Sequence, residues 1–546
     1  MTQTPFPNQP PPYEGRNLFT GDAALREALG REGAAWSETA LVSWGERLGR
    51  PETFALADAA NRHPPQLRTL DRAGNRIDSV EFHPAWHELM RMATAAGEHA
   101  SPWRDARPGA QVARAAMVLL HAQVENGTQC PLTMTFAAVP ALRAHASDTL
   151  AAAWLPKLLA LDYDPRPLPL AEKRAALVGM GMTERQGGSD VRSNVTRAQP
   201  QADGTYRLTG HKWFFSAPQC DAHLVLAQLE GVSCFLVPRQ LDDGTRNALR
   251  LVRLKDKLGN RSNASSEVEF DGALGYLLGE PGRGVATILE MVRHTRLDCV
   301  LGTAGMMRGG VAWAIHHASH RTVLGRPLVE QPLMSNVLAD LALEVEAATA
   351  LALRLARAFD APEGSADQAL VRVLTPAAKY WVCKRGPALA AEALEVLGGN
   401  GYVEETPLPR LYREMPVNSI WEGSGNVIAL DVLRALSRDN GARDVLLAEL
   451  AAASGSNRHF DAAVGVLTRE LGSAALDPSA ARRLAQSIAL AMQASLLLRH
   501  APPAIAEGFC ASRLQGDRFA GAAFGTLPRG VDAKAIVARA AGPGPD

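Results

Sequence analysis

The segment Gly179–Asp190, GMGMTERQGGSD, combines adjacent glycines with hydroxyl, amide and charged side chains in one short stretch. Gly187 and Gly188 allow the backbone to approach a planar or phosphorylated ligand closely, because they carry no Cβ atom. Thr183, Ser189 and the main-chain amides can donate hydrogen bonds without adding fixed charge. These properties suit the wall of a flavin-binding site. On composition alone, a glycine-rich turn between a helix and a strand explains the segment equally well.

The chain changes character on both sides of this segment. From about residue 20 to 160, apolar residues recur at helical spacing, whereas β-rich runs such as HLVLAQL and VSCFLVP follow it. Helical periodicity returns at about residue 284 and persists toward the C-terminus. The sequence therefore predicts an α+β protein with four domains. They are an N-terminal helical domain at 1–177, a middle antiparallel β-domain at 178–284, a C-terminal helical bundle at 285–438, and an additional helical domain at 439–546.

Composition excludes several classes of protein. With 546 residues, 47% of them hydrophobic, the chain is too long for a single core. The numbers of basic and acidic residues are equal at 57, so nucleic-acid or membrane binding would require a local patch. The six cysteines have no framework spacing, which indicates reduced thiols. No signal peptide or apolar run of about 18 residues is evident, so we predict a cytoplasmic protein without membrane contact.

Residues 181–193, GMTERQGGSDVRS, resemble the flavin-binding signature of the acyl-CoA dehydrogenase family. The resemblance implies an FAD cofactor and the fold of that family. The implied contacts in this segment come from Met182, Thr183, Gly188 and Ser189. Glu184 and Asp190 are expected to hold the loop rather than to react.

Three further segments resemble cofactor-binding parts of the same family, in the family's order. In GHKWFFSAP, Ser216 takes the place of the hydroxyl residue that meets flavin N5, and Phe214 stands where many members carry Trp. In RTVLGRPL, Arg321 would reach the cofactor diphosphate of a neighbouring subunit. Pro332 replaces the glutamine expected near it, which departs from the family pattern. EVLGGNGY resembles the loop for the adenosine half, through Gly398, Gly399 and Gly401.

The segment SIWEGSGN, at 419–426, carries the candidate catalytic base. Oxidation of an acyl thioester between Cα and Cβ needs a base for the α-proton and an acceptor for the electrons. Glu422 occupies the position of the family's catalytic carboxylate, and its apolar flanks would strengthen it as a base once substrate excludes water. Without the resemblance, a solvated helix cap would be the better interpretation of this glutamate. Ser424 and Asn426 would help to seat the flavin.

Helix-forming sequence upstream of Glu422 contains an alternative position for the base and a pair of histidines. Some family members carry the base on an earlier helix, where this chain has Thr295, so Glu422 alone is available. The adjacent Arg296 resembles an arginine that braces the site. His316 and His320 have helical spacing but no third ligand is evident, so we predict a solvated helix face and no metal site.

The long N-terminal domain and the tail beyond Glu422 resemble the AidB branch of the family, the alkylation-response relatives of acyl-CoA dehydrogenases. This resemblance implies a homotetramer with FAD, residual dehydrogenation of isovaleryl-type acyl-CoA, and binding of double-stranded DNA by the C-terminal domain. The alternative is an ordinary acyl-CoA dehydrogenase or oxidase of catabolism without DNA binding. Reoxidation of the flavin by oxygen or by an electron-transfer partner would separate those two enzymes, and the electron acceptor is not predicted.

Basic residues near the C-terminus are the candidates for DNA phosphate contacts. Acidic residues are interleaved with them, so a balanced, solvated helical surface is the stronger interpretation of the pattern alone. The principal candidates are Arg434, Arg438, Arg513 and Arg518, and the others are Arg482, Arg483, Arg529, Lys534 and Arg539.

Overall fold

A computed structural model describes residues 7–438, 440–472, 476–516 and 523–542, without the side chains at 438 and 440. The chain forms two compact units, each assembled from separated stretches of sequence. The first unit comprises residues 1–54, 107–124 and 296–546, and the second comprises residues 55–106 and 125–295. The predicted α+β class is confirmed. The four-domain division by sequence position remains a prediction.

Helices account for most of the described residues. The α-helices are α1 Ala23–Arg31, α2 Glu38–Gly49, α3 Pro51–Arg62, α4 Pro84–Ala96, α5 Ser101–Arg104, α6 Ala110–Ala122, α7 Gln129–His145, α8 Asp148–Leu158, α9 Gly284–His320, α10 Pro332–Asp360, α11 Ala366–Val396, α12 Gly399–Tyr402, α13 Leu408–Asn418, α14 Gly425–Arg438, α15 Asn440–Ala451, α16 Arg458–Leu471, α17 Ala481–His500, α18 Pro503–Arg513 and α19 Ala533–Ala541. The strands are β1 Gln66–Leu70, β2 Arg76–Glu81, β3 Val178–Gly181, β4 Arg197–Pro200, β5 Tyr206–Ser216, β6 Ala222–Gln228, β7 Val232–Pro238, β8 Leu249–Leu254, β9 Ser265–Leu278, β10 Thr322–Val323 and β11 Arg326–Pro327.

The second unit is built around the sheet of β3 to β9. Its strand order is β3-β6-β4-β5-β9-β7, β8 pairs with β9, and a β6–β7 pairing closes the sheet on itself. Strands β6 and β7 are continuous apolar runs that are buried almost throughout, which is typical of strands covered on both faces. Most pairings are antiparallel, as predicted, but β3 and β4 each pair with β6 in parallel. Phe215, Phe235 and Phe270 lie in the core of this sheet.

A hairpin interrupts the region that the sequence predicted to be helical. Strands β1 and β2 pair antiparallel around the turn at 71–75. The Asp71 carboxylate accepts hydrogen bonds from the Ala73 and Asn75 amides, and Gly74 adopts φ +86°. Helical spacing and strand alternation are hard to distinguish in a polar segment this short. The prediction of helix from apolar periodicity was therefore wrong for this hairpin.

The first unit is a helical bundle around α10 and α11. These two long helices pack against each other, and α17 packs against both. Ser365 begins α11 by accepting a hydrogen bond from the Gln368 amide. The centre of α10, from Leu338 to Ala356, is buried along its whole length, which explains why its sequence is mostly apolar and why its charged side chains form ion pairs.

Ion pairs join helices α15 to α19, the C-terminal extension, to the rest of the first unit. Arg354 of α10 binds Glu449 of α15 at 2.9 Å, and Arg499 of α17 binds the same carboxylate at 2.8 Å. Arg539 of α19 binds Glu346 of α10 at 2.9 Å and Glu27 of α1 at 2.6 Å. The extension therefore lies within the first unit.

The last residue of α10 gives a prediction for pH dependence. Asp360 accepts a hydrogen bond from the Gln111 amide at 2.9 Å, while its second carboxylate oxygen is buried without a partner. Burial raises the pKa of Asp360 to about 6, against three amide donors that lower it. A carboxyl whose pKa is higher in the folded state than in the unfolded state contributes stability that is fully present below the unfolded-state pKa. This contribution is lost as the pH rises through the folded-state pKa of about 6.

We therefore expect Asp360→Asn to stabilise the protein at pH 8 by about 1 kcal/mol, allowing for partial exposure. At pH 5 the gain should be smaller than at pH 8, because the folded carboxyl is then mostly neutral and only the unfolded carboxyl is ionised. Thermal unfolding of both proteins at the two pH values measures the difference. Equal changes in Tm at pH 5 and pH 8 would contradict the prediction.

No helix within the described ranges combines the length and the apolar character that a membrane crossing requires. All six cysteines are buried, and no disulfide bond joins any two of them.

Candidate active site

The predicted flavin loop follows strand β3 in the second unit and is held by a buried ion pair. The Glu184 carboxylate lies 2.7 Å from the Lys212 ammonium of β5, and both side chains are inaccessible to solvent. Glu184 also accepts hydrogen bonds from the Val195 and Thr196 amides. Although burial favours the neutral acid, Lys212 and these donors lower the pKa of Glu184 to about 2. The glutamate therefore fixes the loop, as the sequence indicated.

Substitution of Glu184 should be costly because it leaves a buried cation without its partner. We expect Glu184→Gln to lower the free energy of unfolding by about 3–5 kcal/mol. Burial already lowers the pKa of Lys212 to about 8. Loss of Glu184 should lower it further, so the deficit should shrink as the pH rises toward 8 and Lys212 loses its proton.

Denaturant unfolding at pH 6 and pH 8 measures this deficit. The matched control is Glu269→Gln on β9, because Glu269 is exposed and its ion pair with Arg185 spans 3.7 Å. Similar effects of the two substitutions would argue against a structural role for the buried pair.

The loop around Glu184 and the end of β5 carry hydroxyl groups of the kind that FAD binding uses. A Cβ atom on Gly188 would lie 2.5 Å from Thr183 Oγ1, so a side chain there would displace the threonine. The hydroxyls of Thr183, Ser189 and Ser216 receive and donate no hydrogen bond within the described chain. The backbone around them is fixed, since the Thr183 carbonyl accepts from the Trp213 amide at 2.8 Å. These residues fit a ligand that presents acceptors, as FAD does.

Strand β5 adds an aromatic surface to the second unit. Phe214 is 54% exposed, which is unusual for a phenylalanine on a strand, and the Lys255 ammonium lies 4.7 Å from its ring centroid. Ser216 follows it on the same strand and is half-buried. An exposed ring beside a free hydroxyl is the arrangement expected for contact with a flat heterocycle. Met182 lies at the start of the loop, where its carbonyl accepts from the Asn194 side chain.

The turn between α13 and α14, in the first unit, carries Glu422. This residue adopts φ +58°, a left-handed conformation that is uncommon for a residue with a side chain. Two cations fix the carbonyl oxygens of the turn. Arg296 donates to the Glu422 carbonyl at 3.0 Å and binds Asp431 at 2.7 Å, while Lys379 donates to the Gly423 carbonyl at 2.9 Å. Strained backbone that is held by several groups is characteristic of active sites.

Ser424 and Asn426 follow Glu422 at the start of α14. Both are exposed, and neither side chain forms a hydrogen bond within the described chain. Because α14 begins at Gly425, these groups surround the positive end of the helix dipole. The arrangement is compatible with a cofactor contact, which remains a prediction.

The other predicted cofactor residues of the first unit lie on short connecting segments. Arg321, at the end of α9, is half-buried and donates to the Asn8 carbonyl at 2.7 Å. Gly398 and Gly399 are exposed after α11, with φ +60° at Gly398. Gly401 is buried, and a Cβ atom there would lie 2.0 Å from the Leu394 carbonyl oxygen. Only glycine fits that position, whatever binds to the loop.

The four principal arginines predicted to contact DNA fall into three groups. Arg434 is exposed on α14 and pairs with Asp431 at 2.9 Å. The Arg438 side chain and Arg518 lie outside the described residues. Arg513 requires a correction: its guanidinium is buried in α18 and binds Asp340 at 2.5 Å and Glu344 at 3.1 Å. A phosphate contact at Arg513 is therefore not retained, because reaching DNA would break two buried ion pairs.

The histidines at 316 and 320 differ in surroundings from the sequence prediction. Among the described residues, no group of three or more His, Cys, Asp or Glu side chains is placed to hold a metal ion. His316 is buried rather than solvated, which corrects the predicted exposed helix face. Its ring contacts the Pro11 carbonyl and the Arg16 guanidinium.

Sequence reasoning missed two buried lysines: Lys212, which holds the glycine-rich loop of the second unit, and Lys379, which holds the Glu422 turn of the first unit. Lysines inside apolar sequence were the available signal, because a buried ammonium needs an acceptor. The acceptor itself could not be identified, since Glu184 and Gly423 are distant from these lysines in sequence.

Three family models match successive parts of the chain. Residues 8–165 match the family described as the adaptive response protein AidB N-terminal domain. Residues 179–273 and 282–437 match the middle and C-terminal domains of acyl-CoA dehydrogenases. The chain therefore belongs to the acyl-CoA dehydrogenase family of FAD-dependent oxidoreductases, in its AidB branch.

Particular relatives cover nearly the whole chain. AidB of Escherichia coli (strain K12) is 52% identical over 512 residues, which span 93% of this chain and 94% of that protein. The crystal structure of Caenorhabditis elegans ACDH-11 in complex with C11-CoA superposes with a TM-score of 0.85 at 28% identity, covering 94% of each chain. The apo form of Bd2924 gives a TM-score of 0.83 at 29% identity, covering 90% of this chain and 99% of that one.

Proposed function

We propose that this protein binds FAD and an acyl-CoA thioester and removes hydrogen from Cα and Cβ of the acyl group. The observation that carries the proposal is Glu422, a carboxylate on a strained turn whose two carbonyls are fixed by Arg296 and Lys379. FAD, when bound, supplies the two-electron acceptor. The protein's own contribution is to hold Glu422 as the base for the α-proton.

A relative supports acyl-CoA as the class of substrate, and the identity of the acyl group is a separate proposal. The C. elegans structure contains C11-CoA, so an acyl-CoA ligand is compatible with this architecture. We propose a short branched acyl group of the isovaleryl type as the first substrate to test.

Anaerobic mixing of the purified holoprotein with a series of acyl-CoA thioesters tests this function. Loss of the visible flavin absorbance with isovaleryl-CoA, and less with straight long chains, is the expected result. Bleaching by a C11 thioester alone would refute the branched-chain preference. If no thioester bleaches the flavin, acyl-CoA oxidation is refuted.

Binding of double-stranded DNA, as part of a response to DNA alkylation, is a second candidate function. It is favoured by two exposed cations near α14, Lys384 of α11 and Arg482 of α17. Both approach Gly425 closely, since an added Cβ atom there would lie 3.2 Å from Lys384 Nζ and 3.1 Å from Arg482 Nη2. Neither cation has an ion-pair partner in the described part of the chain. Two neighbouring positive charges without an acid would attract a phosphate group.

Charge reversal separates this patch from general surface charge. We expect the double variant Lys384→Glu, Arg482→Glu to bind duplex DNA more weakly than the wild type. The slope of log Kd against log salt concentration should also become shallower, by the amount that corresponds to the loss of about two phosphate contacts. The control is Arg483→Glu, because Arg483 already pairs with Glu470 at 2.8 Å. Unchanged affinity and salt slope in the double variant would remove the patch from consideration, and absence of duplex binding by the wild type would remove the function.

We also propose that the protein is a homotetramer. The β10–β11 hairpin supports self-association, because Leu324 at its tip is 92% exposed and Leu333 beyond it is 84% exposed. Native mass spectrometry of the purified protein measures the assembly directly, and a monomer would refute the proposal.

A further inference from the structure

Lys379 is a buried cation beside the turn that carries Glu422. It lies in the middle of α11 with 1% of its surface exposed. Its ammonium donates to the Gly423 carbonyl at 2.9 Å, and no carboxylate within the described chain lies at ion-pair distance from it. A buried ammonium with a neutral acceptor costs free energy relative to an apolar side chain of similar size. Packing alone therefore does not account for a lysine at this position.

The charges of Lys379 and Glu422 act on the same neighbouring group. Burial raises the pKa of the Cys299 thiol, and the Lys379 ammonium lowers it while the Glu422 carboxylate raises it. Both charges are thus close enough to Cys299 for an electrostatic effect in a buried environment. The Glu422 carboxylate consequently lies in the field of the ammonium as well as on the turn that the ammonium holds.

The two cations at the turn differ in how they are themselves held. Arg296 is balanced by Asp431 at 2.7 Å, whereas the positive charge of Lys379 is not paired with a carboxylate in the described chain. Lys379 therefore adds more net positive potential to the turn than Arg296 does. Positive potential favours the charged form of a carboxylate, which is the form that accepts a proton.

We propose that Lys379 is a positioning residue for Glu422. Its hydrogen bond to the Gly423 carbonyl keeps Glu422 in the left-handed conformation, and its charge favours the carboxylate form of the base. This inference rests on the proposed function, in which Glu422 accepts the α-proton.

Variants at Lys379 and at a matched buried lysine test the proposal. Lys379→Met removes the charge and the hydrogen bond, and Lys379→Arg retains both. Lys173→Met is the control, because Lys173 is equally buried, donates to the Arg166 carbonyl at 2.9 Å and pairs with Asp221 at 2.9 Å. The readouts are Tm, FAD content, and the rate of flavin bleaching by acyl-CoA as a function of pH.

We expect Lys379→Met to slow bleaching by about 10–100-fold. The pH at which the rate is half-maximal should rise by about one unit, because an opposite charge has been removed from the base. Lys379→Arg should restore most of the rate and the wild-type pH dependence. Lys173→Met should lower Tm without moving the pH dependence. A Lys379→Met protein with a wild-type pH profile, whatever its Tm, would overturn the proposal.

Crystal structures of Lys379→Met and Lys173→Met keep the inference separate from the proposed function. Relaxation of Glu422 from its left-handed conformation in the first variant alone supports positioning, and unchanged backbone there overturns it. If no acyl-CoA bleaches the wild-type flavin, the proposed function fails, and these structures still decide whether Lys379 holds the turn.

Discussion

Replacement of Glu422 by glutamine should leave FAD bound and slow acyl-CoA-dependent bleaching by about 10²–10⁴-fold, the usual contribution of a general base. In the proposed mechanism the carboxylate accepts the α-proton, which an amide of the same shape cannot do. Stopped-flow absorbance under anaerobic conditions measures the rate, and the visible spectrum measures the bound flavin. The control is Glu405→Gln, because Glu405 is an exposed glutamate on the preceding loop.

The backbone of Glu422 allows a second variant that separates chemistry from folding. Glycine adopts φ values near +58° without strain, so Glu422→Gly should be at least as stable as the wild type. It should be inactive, and added acetate should restore part of the rate by replacing the missing carboxylate. Bleaching by Glu422→Gln at the wild-type rate would show that another group is the base.

The second large effect is expected at Arg513. Arg513→Ala would leave the carboxylates of Asp340 and Glu344 buried, each with 1% of its side chain exposed. Arg385 still binds Glu344 at 3.2 Å, but Asp340 would keep only the Gly525 amide within the described chain. We expect the free energy of unfolding to fall by about 3–5 kcal/mol.

Arg483→Ala is the matched comparison for Arg513→Ala in denaturant unfolding. Its ion pair with Glu470 is exposed and should be worth less than about 1 kcal/mol. If Arg513→Ala does not fold, Arg513→Lys should still show a smaller loss of stability, because lysine retains the charge without the bidentate geometry. A cost at Arg513 no larger than at Arg483 would contradict the prediction.

Sequence and structure agree where the signal is local or carried by an ordered set of motifs. The buried runs of β6 and β7 and the helical periodicity of α10 follow from side-chain pattern, and the motif around Thr183 indicated the family that the comparisons confirm. The roles of individual residues toward FAD, acyl-CoA and DNA remain predictions.

Features that depend on distant partners were not predictable. Arg513 and Arg434 look alike in a sequence of alternating charges, yet one is buried against α10 and the other is exposed on α14. Charge pattern gives no information about which arginine faces an internal carboxylate. Lys379 presents the same difficulty, because its acceptor is a main-chain carbonyl, to which no sequence motif corresponds.

The ion pairs of Arg539 affect how the chain is made in the cell. Domains generally fold as they leave the ribosome, with N-terminal parts first. Here two contacts of the N-terminal helix α1 and of α10 form only once α19 is present, because Arg539 supplies the cation for both Glu27 and Glu346. The first unit can therefore complete these contacts only after α19 has been synthesised, and a chain truncated before Arg539 should leave the Glu346 carboxylate without its cation and become a better target for chaperones and proteases.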